Sequence, residues 1–246
     1  MKQQVDAPIT ANHRMQDDYY CVELHAPGLA DCVDPGQFVT LRIPELEHRI
    51  LRRPFSVYDA DENEGLLRIV YKVVGEGTAR LAELTPGVAV NVLGPLGHGY
   101  TLPPRGCTPV IVAGGYGAAA TYLLAKRSPE TCLCLFGAKT KEELLLVDEY
   151  KRLGSDVRVV TEDGSSGRNG LVTDLLRDTL DARPSNPRIH ACGPNAMLKA
   201  VSLLVADYGL DAEISLDHEM CCGVGACFAC VVKMKANSSS GWEYVR

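Results

Sequence analysis

Near residue 104 the hydrophobic pattern of this chain changes period, and that change constrains the fold more than any other feature of the sequence. Before it, residues 15–100 carry short apolar runs at 19–24, 38–43, 53–57, 66–74 and 88–93, punctuated by turn signals such as Pro35-Gly36 and Pro86-Gly87. Short strands at such spacing fold as an antiparallel barrel. After Pro103-Pro104-Arg105-Gly106, strand-like runs at 110–113, 131–136, 157–161 and 188–192 alternate with helical stretches at 118–126, 141–153, 170–178 and 195–208. That alternation is the sequence form of a parallel sheet flanked by helices. From Leu216 onward comes a cysteine cluster, then Val231-Val232-Lys233-Met234, a polar Ser238-Ser239-Ser240-Gly241 turn and residues 242–246, the pattern of a hairpin carrying a metal site. The expected division is a barrel over 1–103, an α/β domain over 104–215 and a small metal-binding segment over 216–246, the last expected to continue past Arg246.

A chain of 246 residues exceeds what one core usually serves, so two compact units and an appendage are natural. A net charge of −6 works against nucleic-acid binding, because phosphate backbones are held by clustered Lys and Arg. Residues 109–125 are uncharged and apolar, but Gly114, Gly115 and Gly117 interrupt them, which fits strand, turn and helix better than a membrane span. Residues 1–20 lack the apolar stretch of a secretory signal, so the mature chain is expected to start at Met1 and to be cytoplasmic. Four of the ten cysteines fall within residues 221–230, which favours intracellular metal binding over disulfides.

The sharpest chemical signal is Cys222-x4-Cys227-x2-Cys230, the spacing with which plant-type ferredoxins place three thiolates around a [2Fe–2S] cluster. Gly223 and Gly225 lie in the longer gap, where a chain wrapping a cluster turns backbone N–H groups toward sulfur and needs unusual dihedrals. A structural zinc or inert thiols are the alternatives, although zinc sites favour paired C-x2-C knuckles and a second pair is missing. Cys221 does not fit the spacing. A fourth ligand is expected beyond Arg246, with Cys192 as the rival.

Arg53-Pro54-Phe55-Ser56 ends a candidate barrel strand, and here the chain resembles the ferredoxin–NADP reductase superfamily, whose Arg-x-Tyr/Phe-Ser/Thr motif binds a flavin. A guanidinium pairs with a phosphate, and a small hydroxyl sits beside a flavin edge. Val70-Tyr71-Lys72 and Gly75-x-Gly77-Thr78 follow at the family's distance, offering a basic side chain and an uncrowded backbone to a pyrophosphate. Gly94-Pro95-Leu96-Gly97 matches the family's barrel-closing turn, with His98 at its surface. The resemblance implies FAD.

Residues 110–113 run into Gly114-Gly115-Tyr116-Gly117, a strand entering a Gly-rich turn that lets a dinucleotide pyrophosphate approach a helix N-terminus. The sequence departs from the family at Tyr116, where a third glycine is usual, and at Ala120, where a proline often stands. Cys192-Gly193-Pro194 with Met197 matches the family's segment beside the nicotinamide. Glu162 and Asp163 end another parallel strand, where carboxylates repel a 2′-phosphate and favour NAD over NADP.

Cysteines in this spacing directly after the nucleotide domain are similar to the electron-transfer subunits of dihydroorotate dehydrogenase B, over essentially the whole chain. The resemblance implies electron transfer from a catalytic FMN-containing partner subunit, through [2Fe–2S] and FAD, to NAD+, within a heterotetramer of pyrimidine biosynthesis. Small subunits of ferredoxin-dependent NAD(P) transhydrogenases, sulfide dehydrogenases and cytoplasmic hydrogenases share the layout. A non-catalytic flavoprotein scaffold is the reading from another class. No acid–base residue is expected, because the reactivity is the cofactors' own.

Overall fold

Polar residues hide the longest strand of this protein. The computed structural model describes residues 2–46, 48–216, 220–235 and 241–245. Seven strands, β1 (Gln3–Gln16), β2 (Tyr19–His25), β3 (Phe38–Arg42), β4 (Arg53–Ser56), β5 (Asp59–Asp61), β6 (Leu66–Lys72) and β7 (Ala89–Leu96), form one antiparallel sheet in the order β4-β3-β7-β1-β2-β6-β5. β1 pairs with β7 through residues 3–8 and with β2 from Ile9 onward. The exchange of partner falls at Pro8, which has no N–H to give, and at a bulge between Ile9 and Ala11. Bent there, the sheet curls until β4 lies against β6. Alternate residues Val22 and Leu24, Val39 and Leu41, Leu67 and Ile69, Val90 and Val92 fill its interior, all fully buried. Each such side chain contributes about 1.5–3 kcal/mol by leaving water.

Two helices belong to this half, α1 (Pro27–Ala30) and α2 (Glu76–Glu83). The second begins within the Gly75-x-Gly77-Thr78 segment, and its Leu81 plugs the barrel. The expected turn at residues 94–97 is different. Gly94, Pro95 and Leu96 continue β7, and a register shift opposite Phe38 and Thr40 lets Gly94 press on Val39, where a methyl group would come within 2.6 Å of Val39 Cγ1.

Six strands, β8 (Thr108–Gly114), β9 (Leu133–Ala138), β10 (Asp156–Thr161), β11 (Arg168–Asn169), β12 (Pro187–Cys192) and β13 (Ala212–Ser215), make a parallel sheet in the order β11-β10-β9-β8-β12-β13. Helices α3 (Gly117–Arg127), α4 (Val147–Arg152), α5 (Val172–Asp181) and α6 (Asn195–Asp207) connect them. Residues 110–113 are buried without alternation, as a parallel strand covered on both faces must be. Strand order reverses between β8 and β12, so the sheet has its switch point there. The helix expected over 141–153 is broken into a 3-10 turn, Lys141–Glu143, and α4, with Leu146 at φ 62° between them. Leu145 and Leu146 are drawn out of helical register into the core beside Tyr150.

The two sheets share that core. Tyr19, Cys21, Tyr58 and Val70 on the barrel's outer face pack in one cluster with Ile111, Phe136 and Tyr150. Across the same junction Lys126 Nζ on α3 lies 2.6 Å from Asp59 Oδ1, and Asp59 also accepts from Arg68 at 3.0 Å. The C-terminal hairpin forms as β14 (Val232–Lys235) paired with β15 (Trp242–Val245). Its expected turn lies, apart from Gly241, outside the described residues.

Candidate functional site

The β4 strand presents two faces. Phe55 turns inward, edge-on to Tyr71 at 5.9 Å, and Tyr71 stacks on Tyr20 and donates to Asn12 Oδ1 at 3.1 Å. The ring of Tyr71 is therefore barrel core, and what it can offer a ligand is backbone. Arg53, at the rim on the same face, lies over the first turn of α2: a methyl group on Gly77 would sit 2.8 Å from its Nε. Glycine at 77 is what lets a guanidinium rest on that helix N-terminus, whose first N–H groups have no intrahelical partner. Gly75 is the N-cap. The Thr78 hydroxyl is engaged in the cap, accepting from the N–H of Val74 and Gly75 at 2.9 and 3.2 Å and donating to the Gly75 carbonyl at 3.0 Å. Arg49 holds the Glu76 carboxyl below its usual range, so the acidic first residue of α2 is neutralised. Lys72 places its ammonium 5.1 Å from the Tyr19 ring centroid, and Val70 is buried in the shared core.

Pro54 and Ser56 point to the other face, opposite Thr40 and Phe38 of β3. Onto this face packs the cysteine loop. A methyl group on Gly223 would lie 3.1 Å from Thr40 Cγ2 and 3.5 Å from Leu96 and Phe38. The cysteines thus stand beside the strand that carries Arg53-Pro54-Phe55-Ser56.

At the switch point, Gly114 and Gly117 meet Cys192 and Gly193, while Gly115 between them has open space where a side chain would stand. A methyl group on Gly117 would be 2.1 Å from the Cys192 carbonyl oxygen, and one on Gly193 would be 3.0 Å from Gly114 N. Met197 lies over both, 2.7 Å from where Cβ atoms of Gly114 and Gly193 would stand. These glycines bring two strand ends and the start of α3 together at the place where open α/β sheets bind ligands. Tyr116 is the N-cap of α3 and remains partly exposed. Beside it, Gly115, Ala118, Phe136, Gly137, Glu143 and Leu145 line a small recess.

The loop after β10 is built by its own side chains. Asp163 Oδ1 accepts from the Ser165 hydroxyl at 2.6 Å and its N–H at 3.0 Å, which holds the Asp163 carboxyl below its usual range. Ser165 Oγ accepts from Lys141 N, and Asn169 donates to the Glu162 carbonyl. Both carboxylates therefore sit exposed beyond a parallel strand end.

In the cysteine loop, Cys222 Sγ accepts from the N–H of Ala226 and Cys227 at 3.3 and 3.4 Å. The Cys227 N–H, followed by that of Val224, lowers the Cys222 thiol to about 6. Positive φ at Gly223 and Gly225 turns the chain so that these donors face Cys222. Such a cradle suits a thiolate carrying metal charge. Among the described residues, however, no three His, Cys, Asp or Glu side chains approach closely enough to hold a metal ion, so the expected set of Cys222, Cys227 and Cys230 is not assembled. The reason is local: Cys222 is satisfied by backbone donors and by Cys227, and Cys230 lies beyond the left-handed Phe228.

Residues 6–100 match the oxidoreductase FAD-binding domain family and residues 111–203 the oxidoreductase NAD-binding domain family. The chain is 36% identical over 237 residues to the dihydroorotate dehydrogenase B (NAD(+)) electron transfer subunit of Desulforamulus reducens, covering 95% of this chain and 90% of that one. To its counterpart in Fusobacterium nucleatum it is 39% identical, over 94% and 90% of the two chains. A solved NADH-dependent reduced ferredoxin-NADP oxidoreductase, studied for flavin-based electron bifurcation, superposes with a TM-score of 0.83 at 31% identity, covering 96% of this chain and 84% of that one. The cytochrome b5 reductase domain of Ulva prolifera nitrate reductase shares the fold at a TM-score of 0.71 and 18% identity, over 86% and 97%.

Proposed function

This chain belongs to the family of dihydroorotate dehydrogenase B electron-transfer subunits, and from that premise we propose how its own residues serve an FAD- and NAD-linked oxidoreductase. The observation that carries the reading is Arg53 lying on the Gly77 turn at the N-terminus of α2, a cation and a set of free N–H groups converging on one point. There they bind the FAD pyrophosphate, while Ser56 and the backbone of residues 70–72 border the ring. NAD(H) binds at the switch point, its pyrophosphate over Gly114, Gly115 and Gly117 and its nicotinamide near Cys192 and Gly193. Glu162 and Asp163 face its ribose. FAD supplies the conversion between two-electron hydride chemistry and single-electron transfer.

Cys222, Cys227 and Cys230 are proposed to hold a [2Fe–2S] cluster, which supplies the one-electron relay to a catalytic, FMN-containing partner in a heterotetramer. The chain's part there is to order the loop: backbone N–H groups at Ala226 and Cys227 stabilise sulfur charge, and packing on Phe38 and Thr40 holds the loop beside the flavin strand. The units 1–103, 104–215 and 216–246 are proposed to serve FAD, NAD and the cluster in turn, in the cytoplasm. Among the described residues no helix is long and apolar enough to cross a membrane. The similarity to the ferredoxin-NADP oxidoreductase favours a second reading, the small subunit of a ferredoxin-dependent transhydrogenase.

The purified protein is expected to carry FAD, and NADH is expected to bleach it faster than NADPH in a stopped-flow comparison. Arg53→Ala removes a charge-assisted contact worth about 1.5–3 kcal/mol, so FAD affinity should fall about ten- to hundredfold. Protein that takes up no FAD would overturn the assignment. Orotate formation with the purified partner separates the first reading from the second.

A further inference from the structure

Hydride transfer needs the nicotinamide and the flavin ring at one distance, and a misplacement of about 1 Å costs about a hundredfold in rate. The two rings are proposed to lie on different sheets, so the join between barrel and parallel sheet sets that distance. Tyr100 crosses the join. On the barrel side its N–H donates to the Pro35 carbonyl at 2.7 Å, and its ring covers Gly36, where a methyl group would come within 2.6 Å of Cδ2. Gly36, at φ 85°, makes the turn that leaves room for the ring. The Gln37 carbonyl then accepts from the Val57 N–H at 3.0 Å, and Phe38 pairs with Ser56. The turn under Tyr100 is thus tied to the end of the strand that carries Ser56. On the other side the Tyr100 hydroxyl donates to the Ala191 carbonyl at 3.1 Å, one residue before Cys192. Burial, followed by the neighbouring Cys192 thiol, pushes this hydroxyl well above its ordinary pKa, so it stays a donor. Thr101 continues the attachment, its N–H donating to Glu213 on β13 at 2.8 Å and its carbonyl lying 3.2 Å from His190 Nε2 on β12.

We propose that Tyr100 is a positioning residue for hydride transfer, fixing the end of β12 at Cys192 relative to the end of β4 at Ser56. The inference rests on the FAD and NAD(H) placements above. In the step itself NADH gives up a hydride, two electrons with one proton, and becomes NAD+, while the oxidised flavin ring takes them up and becomes the reduced anion. Tyr100 exchanges no proton in it and acts through backbone at both ends, Pro35 and Gly36 on one sheet and Ala191 on the other. The Lys126–Asp59 ion pair also crosses the join, but at the end of α3 remote from the glycine turn, so it holds the sheets together without setting the strand ends. A phenylalanine at 100 would keep the ring on Gly36. Only the hydroxyl reaches Ala191, so what tyrosine adds is one hydrogen bond of fixed length between the sheets.

The test compares wild type and Tyr100→Phe as the whole FAD-loaded chain, with Tyr208→Phe as a control that loses a tyrosine hydroxyl bond, to Asp181, away from the join. FAD content, the flavin midpoint potential, stopped-flow reduction over a range of NADH concentrations, and the long-wavelength charge-transfer absorbance of dithionite-reduced protein titrated with NAD+ are measured for each. Tyr100→Phe should keep wild-type FAD content and potential and hold its NADH dissociation constant within about twofold, while the limiting reduction rate falls about tenfold and the charge-transfer absorbance at saturating NAD+ drops. Tyr208→Phe should match wild type throughout. A limiting rate within about twofold of wild type in Tyr100→Phe would overturn the inference, as would a loss accounted for by weaker NADH binding or by a shifted flavin potential. Wild type that holds FAD but is not reduced by NADH would overturn the nicotinamide placement first, and the assignment of Tyr100 with it.

Discussion

Gly117 has no room for a single methyl group, since one would sit 2.1 Å from the carbonyl oxygen of Cys192. That oxygen is backbone in a paired strand and cannot rotate away, so α3 would have to back off the switch point. Gly117→Ala should lower stability by about 3 kcal/mol and blunt NADH reduction of the flavin, read by thermal melting and stopped flow. The sequence points to a glycine turn here, but a pattern of residue types cannot say which glycine meets a strand end and which meets solvent. Gly115, with φ 54°, has open space around its missing side chain. Thr78 teaches the same lesson: its hydroxyl fits a phosphate contact on paper, and in the fold it caps α2.

Among the elements, those whose burial follows a simple period were legible. β8, β9, β10 and β12 lie within two residues of the apolar runs that announce them, and α3 and α6 follow their helical stretches. β1 was not legible, because it is polar along much of its length, with Gln4, Asp6, His13 and Arg14 exposed, and only Ala7 and Ile9 are buried. α4 starts later than its sequence pattern suggests for the opposite reason, as leucines 144–146 read as helical and are pulled into the core instead. Tyr150 fixes α4 there. Its hydroxyl is fully buried, donating to the Ala118 carbonyl at 2.7 Å and lying 2.9 Å from Thr121 Oγ1, which ties α4 to α3. Tyr150→Phe keeps the packing and leaves Thr121 bonded to the Gly117 carbonyl. Its cost should be about 1–2 kcal/mol, a fall of a few degrees in melting temperature.

Over the whole molecule, barrel and parallel sheet behave as one body wherever polar groups cross the shared core. His190 on β12 is such a group. Its Nε2 lies 3.2 Å from the Thr101 carbonyl, Nδ1 is buried without a hydrogen bond among the described residues, and Tyr100 meets the ring edge-on. Burial lowers its pKa below 6.5, against the opposing pull of the Glu213 carboxylate. The folded protein thus keeps the ring neutral where the unfolded chain would protonate it, so this stability is complete above the ordinary histidine value and is lost as pH falls below it. Melting curves from about pH 8 to about pH 5 should fall less steeply for His190→Gln than for wild type. The two-sided strand β1 has a consequence of another kind, in time. Gln3 pairs with Gly94, so the first strand of this sheet to be synthesised waits for the last. At about 5–20 residues per second that wait is on the order of four to eighteen seconds, during which β1 exposes an unpaired edge to every other nascent chain.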